Sequence, residues 1–221
     1  MNIYLIRHGR QNCKLYNVDV PLAAEGTLQA RLLGQRLKKY DIDVVYSSDL
    51  IRAVETADIV NEYLEKPRVI DKRLRETDFG GFTGLSDDEL KDSYKDFLKR
   101  RVTMTVDEPY PDGGENCQMV YERAFKVIEE IVEKNYDNVC IIAHGGTIRA
   151  LLTGIIGADF PKWLVYGRQI ENCSITEILY DENIKTFHIE RFNDYAHIED
   201  KEHLLRKHFG TGFFDLNKET D

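Results

Sequence analysis

Long apolar runs are missing from this chain of 221 residues, and with them the stretch of about 18 residues needed to cross a bilayer. The apolar start, Met1 to Ile6, has no basic leader and no small-residue cleavage site, so it reads as a first strand and not as a signal peptide. The four cysteines, Cys13, Cys117, Cys140 and Cys173, include no Cys-x-x-Cys pair. That excludes a disulfide framework and favours a reduced, cytoplasmic setting. Positive charge is in deficit, with 30 Lys and Arg against 39 Asp and Glu and a net charge of -9. Non-specific binding to nucleic acid needs a basic face and is therefore not expected. A small anionic substrate stays open, because a few clustered arginines can oppose the global sign. No Gly-x-Gly-x-x-Gly follows the first strand, which sets aside a dinucleotide-binding oxidoreductase. His188, His197, His203 and His208 lack the close spacing of a zinc site, so no metal and no cofactor is implied. With no internal repeat or low-complexity linker, residues 1–221 read as one domain, with 192–221 a C-terminal extension on which no structure is forced.

What is present is an alternation of strands and helices. Asn2–Ile6, Val44–Ser47, Arg68–Ile70 and Val139–Ala143 are short apolar runs. Between them, apolar residues recur at helical spacing over Glu25–Tyr40, Leu50–Leu64 and Val120–Ile131, and a helix follows at Thr147–Ile156. Ser86–Lys99 reads as a polar surface helix among glycine-rich loops. Ile175–Tyr180 and Lys185–Ile189 read as a closing hairpin turning at Asp181-Glu182-Asn183. The alternation predicts a three-layer α/β/α sandwich around a mostly parallel sheet. In such sheets ligands bind beyond the carboxyl ends of the strands, and both His8 and His144 follow strands directly.

Four segments carry chemistry. Leu5-Ile6-Arg7-His8-Gly9 offers a neutral imidazole as a phosphoryl acceptor, with Gly9 leaving room for a phosphate. Tyr46-Ser47-Ser48-Asp49-Leu50-Ile51-Arg52 places a guanidinium in the first turn of a helix, where it can hold phosphate oxygens in a fork. Leu74-Arg75-Glu76-Thr77-Asp78-Phe79-Gly80 supplies an acid in a glycine-rich loop. Ala143-His144-Gly145-Gly146 supplies a second imidazole backed by glycines. Around these lie Pro21-Leu22-x-x-x-Gly26, Ala53-x-Glu55-Thr56-Ala57, Pro111-Asp112-Gly113-Gly114-Glu115, Ile148-Arg149 and Asn172-x-Ser174.

Taken in this order, from Arg7 to about Thr176, the motifs resemble the histidine phosphatase superfamily in its phosphoglycerate mutase-like branch. The resemblance implies a metal-independent phosphatase acting on a small phosphorylated metabolite through a phosphohistidine, with no membrane or nucleic-acid partner. It implies that His8 is the nucleophile, that Arg7, Arg52 and His144 bind the transferring phosphoryl group with Gly9 and Gly145 beside it, and that Glu76 donates the proton to the leaving oxygen. Physical chemistry supports those roles. Neighbouring cations keep His8 neutral, an alkoxide leaves only when protonated, and cations around the equatorial oxygens are the main catalytic term.

The chain departs from the family where an acid or amide, a Thr or Ser and an Asn usually follow Arg-His-Gly. Arg10, Gln11 and Lys14 stand there instead, and Arg10 or Lys14 is expected to reach a second anionic group on the substrate. Glu55 and Thr56 are read as local support, Glu115 as a cap for the helix at Asn116, and Arg73 and Arg75 as solvated or rimming the pocket. Two rival functions stand beside hydrolysis. One is a mutase that returns the phosphoryl group to bound product, disfavoured by the short segment from Glu76 to Pro111. The other is a catalytically weak regulatory protein that keeps the pocket. The tail, with Tyr195, His197, Phe209, Phe213 and Phe214, is open to covering the pocket, to forming a homodimer or to plain packing.

Overall fold

A computed structural model describes residues 1–167 and 169–206. Six strands form one sheet: β1 (Asn2–Arg7), β2 (Val44–Ser47), β3 (Arg68–Ile70), β4 (Asn138–Ala143), β5 (Ile175–Asp181) and β6 (Thr186–Asp194), in the order β3-β2-β4-β1-β5-β6. The four strands from β3 to β1 run parallel. β5 and β6 complete the sheet as an antiparallel hairpin. Side chains alternate between faces along each strand. Ile3, Leu5, Val139 and Ile141 therefore pack under helices α5 (Cys117–Val132) and α6 (Gly145–Ile155). Tyr4, Ile6, Cys140 and Ile142 face α1 (Ala24–Leu37) and α2 (Ile51–Leu64) on the other side. The expected three-layer sandwich results, and burying each of these large aliphatic side chains contributes about 1.5–3 kcal/mol.

Element limits differ from the sequence reading in four instructive places. α1 stops at Leu37 instead of reaching Tyr40, whose ring packs edge-on to Tyr4 at 5.0 Å. The polar stretch from Ser86 forms two helices, α3 (Asp87–Ser93) and α4 (Lys95–Arg101), broken at Tyr94. Ser86 and Glu89 close a capping box at the start of α3. Far from lying loosely on the surface, this unit buries Leu90, Phe97, Leu98 and Arg101 against Phe82, Tyr110 and Trp163. α6 begins at Gly145, two positions before the expected Thr147, which makes His144 its N-cap. β6 continues to Asp194, beyond the expected Ile189.

Residues 195–206 fold back along α1. Arg36 pairs with Asp194, Ile198 and Leu204 are buried, and Gln29 Nε2 donates to the Leu204 carbonyl at 2.7 Å. His208, Phe209, Phe213 and Phe214 lie outside the described residues. Among the described residues no helix is long and apolar enough to cross a membrane.

Candidate active site

β1 and β4 are neighbours in register, with Arg7 opposite Ala143. The next residue on each strand is a histidine, so the two rings meet at the carboxyl edge with centroids 5.0 Å apart. The backbone around His8 is pinned from three sides. His8 N donates to Ala143 O at 3.0 Å, Gly9 N to Thr56 Oγ1 at 3.0 Å, and Asn172 Nδ2 to His8 O at 2.8 Å. His8 Nδ1 lies 2.6 Å from Gly9 O. A carbonyl can only accept, so Nδ1 carries the proton and Nε2 keeps its lone pair. Arg52 Nε donates to that Nε2 at 3.3 Å, which fits the same tautomer. Burial, reinforced by the charge of Arg52, lowers the His8 pKa from 6.5 to about 3.

Arg52 sits in the first turn of α2 and is only 2% exposed. Its remaining nitrogens donate to Val18 O at 3.3 Å and to Asn17 Oδ1 at 3.1 Å, and Asp19 lies 3.9 Å away. Arg7 donates through Nη1 to the Ile170 carbonyl, while its buried Nε finds no hydrogen-bond partner among the described residues. His144 is fully buried, both ring nitrogens are likewise unengaged, and burial followed by Arg52 pushes its pKa well below the ordinary value. Glu76 is half-buried at the N-terminus of α6, where its carboxylate accepts from Thr77 N at 2.8 Å and from Gly146 N at 3.3 Å. A Cβ on Gly146 would stand 2.4 Å from Glu76 Oε1, so only glycine lets the acid approach this closely.

His8, Arg7, Arg52, Glu76 and Gly145 line one cavity of about 680 Å³. The two rings, the guanidiniums of Arg7 and Arg52 and the carboxylate of Glu76 are thus gathered at one sheet edge. A model of the histidine phosphatase superfamily, branch 1, matches residues 3–195.

The chain belongs to the histidine phosphatase superfamily.

Within it, the "Putative phosphoserine phosphatase 2" of Hydrogenobacter thermophilus is 31% identical over 80% of this chain and 88% of its own length. The "Probable phosphoglycerate mutase GpmB" of Citrobacter koseri is 28% identical over 90% of this chain and 95% of its own. Among solved structures, a mycobacterial glucosyl-3-phosphoglycerate phosphatase in complex with inorganic phosphate superimposes with a TM-score of 0.80. It shares 25% identity and covers 90% of this chain and 99% of its own.

Other predicted residues of this histidine phosphatase take different places. Gly9 is not part of the cavity wall. A Cβ there would come 2.7 Å from Gly26 O, so its glycine serves the contact with α1. His144 stands beside His8, with the ring centroids 5.0 Å apart. Lys14 is exposed on the cavity rim. Arg10 lines the cavity, but its Nη2 donates to the carbonyls of Leu204 and Leu205, each at 2.7 Å, and Nη1 faces Glu25 at 3.6 Å. Arg73 pairs with Asp71 and Glu130, and Arg75 with Asp49, all outside the wall. Asn116, not Glu115, caps α5 through a bond from Met119 N. Glu115 instead grips Arg123, whose nitrogens donate to the carbonyls of Arg73, Arg75 and Glu76. That clamp fixes the loop carrying Glu76.

Sequence reasoning gave no role to Asn17, Arg101 or Arg149, yet all three line the cavity. Arg149 stands in a motif that was legible. Arg101 stands in a polar run with no local mark. Among the described residues, no three His, Cys, Asp or Glu side chains gather as a metal site.

Proposed function

We propose that the protein hydrolyses a small phosphomonoester through a phosphohistidine at His8, without a metal, in the cytoplasm. The observation that carries this reading is the His8 tautomer: Nδ1–H is tied to Gly9 O, and Nε2 keeps its lone pair in a cavity walled by Arg7 and Arg52. Nε2 attacks phosphorus as the P–O bond to the alcohol breaks, and Glu76 gives its proton to the departing oxygen. Arg7, Arg52 and one N–H of the neutral His144 take the phosphoryl oxygens, whose charge grows in the transition state. Glu76, now ionised, accepts a proton from water as that water attacks the phosphohistidine. Inorganic phosphate leaves, and both His8 and Glu76 are restored. Relatives named as phosphatases support hydrolysis as the outcome. Asn17 holds Arg52 in place, and Lys14 on the rim meets the outer end of the substrate.

Transfer back to bound product is the second reading, favoured by the relatives named as phosphoglycerate mutases. The purified chain, in EDTA, is expected to release phosphate from p-nitrophenyl phosphate and from a panel of sugar and hydroxy-acid phosphates. His8→Ala lowers kcat by about 10⁴-fold or more. Turnover that EDTA abolishes, or that survives in His8→Ala, would sink the reading. Activity appearing only after priming with a bisphosphate favours the mutase.

A further inference from the structure

Among the described residues, buried polar atoms without hydrogen-bond partners form two groups around this cavity. Arg7 Nε and the two His144 nitrogens belong with His8 and the phosphoryl transfer. Arg101 Nε and Nη2, with Arg149 Nε, form another group that the reaction above does not use. Arg101 is the last residue of α4 and is 4% exposed. Its guanidinium carbon lies 4.4 Å from the ring centre of Tyr110, 5.0 Å from that of Trp163 and 5.7 Å from that of Phe97. Aromatic faces offset part of the cost of burying a cation, but they leave its in-plane N–H groups unmet. Nη1 donates to Glu108 O at 3.2 Å, and Nε and Nη2 have no hydrogen-bond partner among the described residues. An orphaned, buried guanidinium at a cavity wall is the arrangement expected of a receptor for an anion.

Arg149 continues the row towards the reacting end. It lies in α6, with Nη2 on Gly167 O at 3.1 Å. Its Nη1 stands 3.5 Å from the point a Gly145 Cβ would occupy, and Arg7 Nε stands 3.7 Å from the same point. Tyr110, stacked on Arg101, also feels the charge of Arg149. The cations thus run from His8 through Arg7 and Arg149 to Arg101, all along one cavity.

We propose that Arg101 and Arg149 form a second anion subsite, so that the preferred substrate carries a carboxylate or another phosphate remote from the scissile one. This rests on the reading of the His8 end as a phosphomonoester site. Arg10, which the sequence offered for such a group, has its Nη2 held by the carbonyls of Leu204 and Leu205.

The test is calorimetric titration of full-length His8→Ala protein, in which turnover cannot confuse binding. Two matched pairs separate the sources of charge: 3-phosphoglycerate against glycerol 3-phosphate for a carboxylate, and fructose 1,6-bisphosphate against fructose 6-phosphate for a second phosphate. At least one doubly anionic partner is expected to bind about tenfold or more tightly than its match. Adding Arg101→Met or Arg149→Met brings that ratio to within about twofold of unity, and Arg101→Lys restores part of it. Because the two arginines lie on different helices, Arg149→Met decides the matter if Arg101→Met fails to fold. Equal binding within both pairs, or a ratio that survives both substitutions, overturns the subsite. A ratio that holds while wild-type protein hydrolyses no phosphomonoester overturns the hydrolysis reading and leaves the subsite standing.

Discussion

At the scale of single residues, the chemistry turns on how one imidazole is held. Gly9 O fixes the His8 tautomer, and burial with Arg52 keeps the ring neutral down to about pH 3. Its depressed pKa means the nucleophile is present throughout the range above that value. We therefore expect kcat/KM, corrected for the ionisation of the substrate, to stay level on the acid side well below 6.5. A residual acid limb centred near 6.5 in the corrected profile would contradict this. Removing the proton donor has a distinct signature. Glu76→Gln should slow hydrolysis of alkyl phosphates about 100-fold or more, but that of p-nitrophenyl phosphate far less, since its leaving group needs little protonation. Steady-state kinetics with both substrates reads the difference. His8, His144 and Arg52 were legible because each stands at a strand end or a helix start. Arg101 was not, because Trp163 lies far along the chain, and Arg10, though singled out, has partners at Leu204 and Leu205 that no local pattern announces.

Elements set the distances between these groups. α6 starts at Gly145, so its first amides point at Glu76, and Gly146 leaves space for the carboxylate. Gly146→Ala would put a methyl group 2.4 Å from Glu76 Oε1 and 2.5 Å from Thr77 Oγ1. The loop must move, and we expect kcat for alkyl phosphates to fall about 10- to 100-fold with little loss of stability. Unchanged kinetics in a folded Gly146→Ala protein would mean that Glu76 acts from elsewhere. The main strands and helices could be read from period and punctuation alone. The break at Tyr94 could not, because apolar spacing across Ser86–Lys99 gives no sign of it. What stops α3 there is tertiary: Tyr94 OH donates to Asp112 at 2.7 Å, and its ring packs on Phe82. The same packing turned an expected surface helix into the roof of the cavity.

Across the whole molecule, strand order decides which loops meet. Alternating strands and helices foretell a parallel sheet, but not that β4 slots between β1 and β2 and so sets His144 against His8. Burying histidines also couples the fold to pH. His8 and His197 have pKa values lowered to about 3 and about 4, and that of His144 is lowered as well, burial being the first cause for each. The unfolded chain therefore takes up protons near 6.5 that the folded chain refuses. Stability from this source is complete above pH 6.5 and declines as pH falls towards 4. Glu171, raised by burial, works in the opposite direction, one group against three. Thermal unfolding should show Tm falling steadily between pH 7 and pH 4.5, and a Tm that rises over that interval would refute the linkage.

Rapid quenching of the enzyme during turnover, followed by mass spectrometry of its peptides under alkaline conditions, looks for the intermediate itself. Phosphate should be found on the peptide containing His8, labile to acid and missing from His8→Ala. Phosphate on a different residue, or full turnover with His8 never modified, would contradict the mechanism.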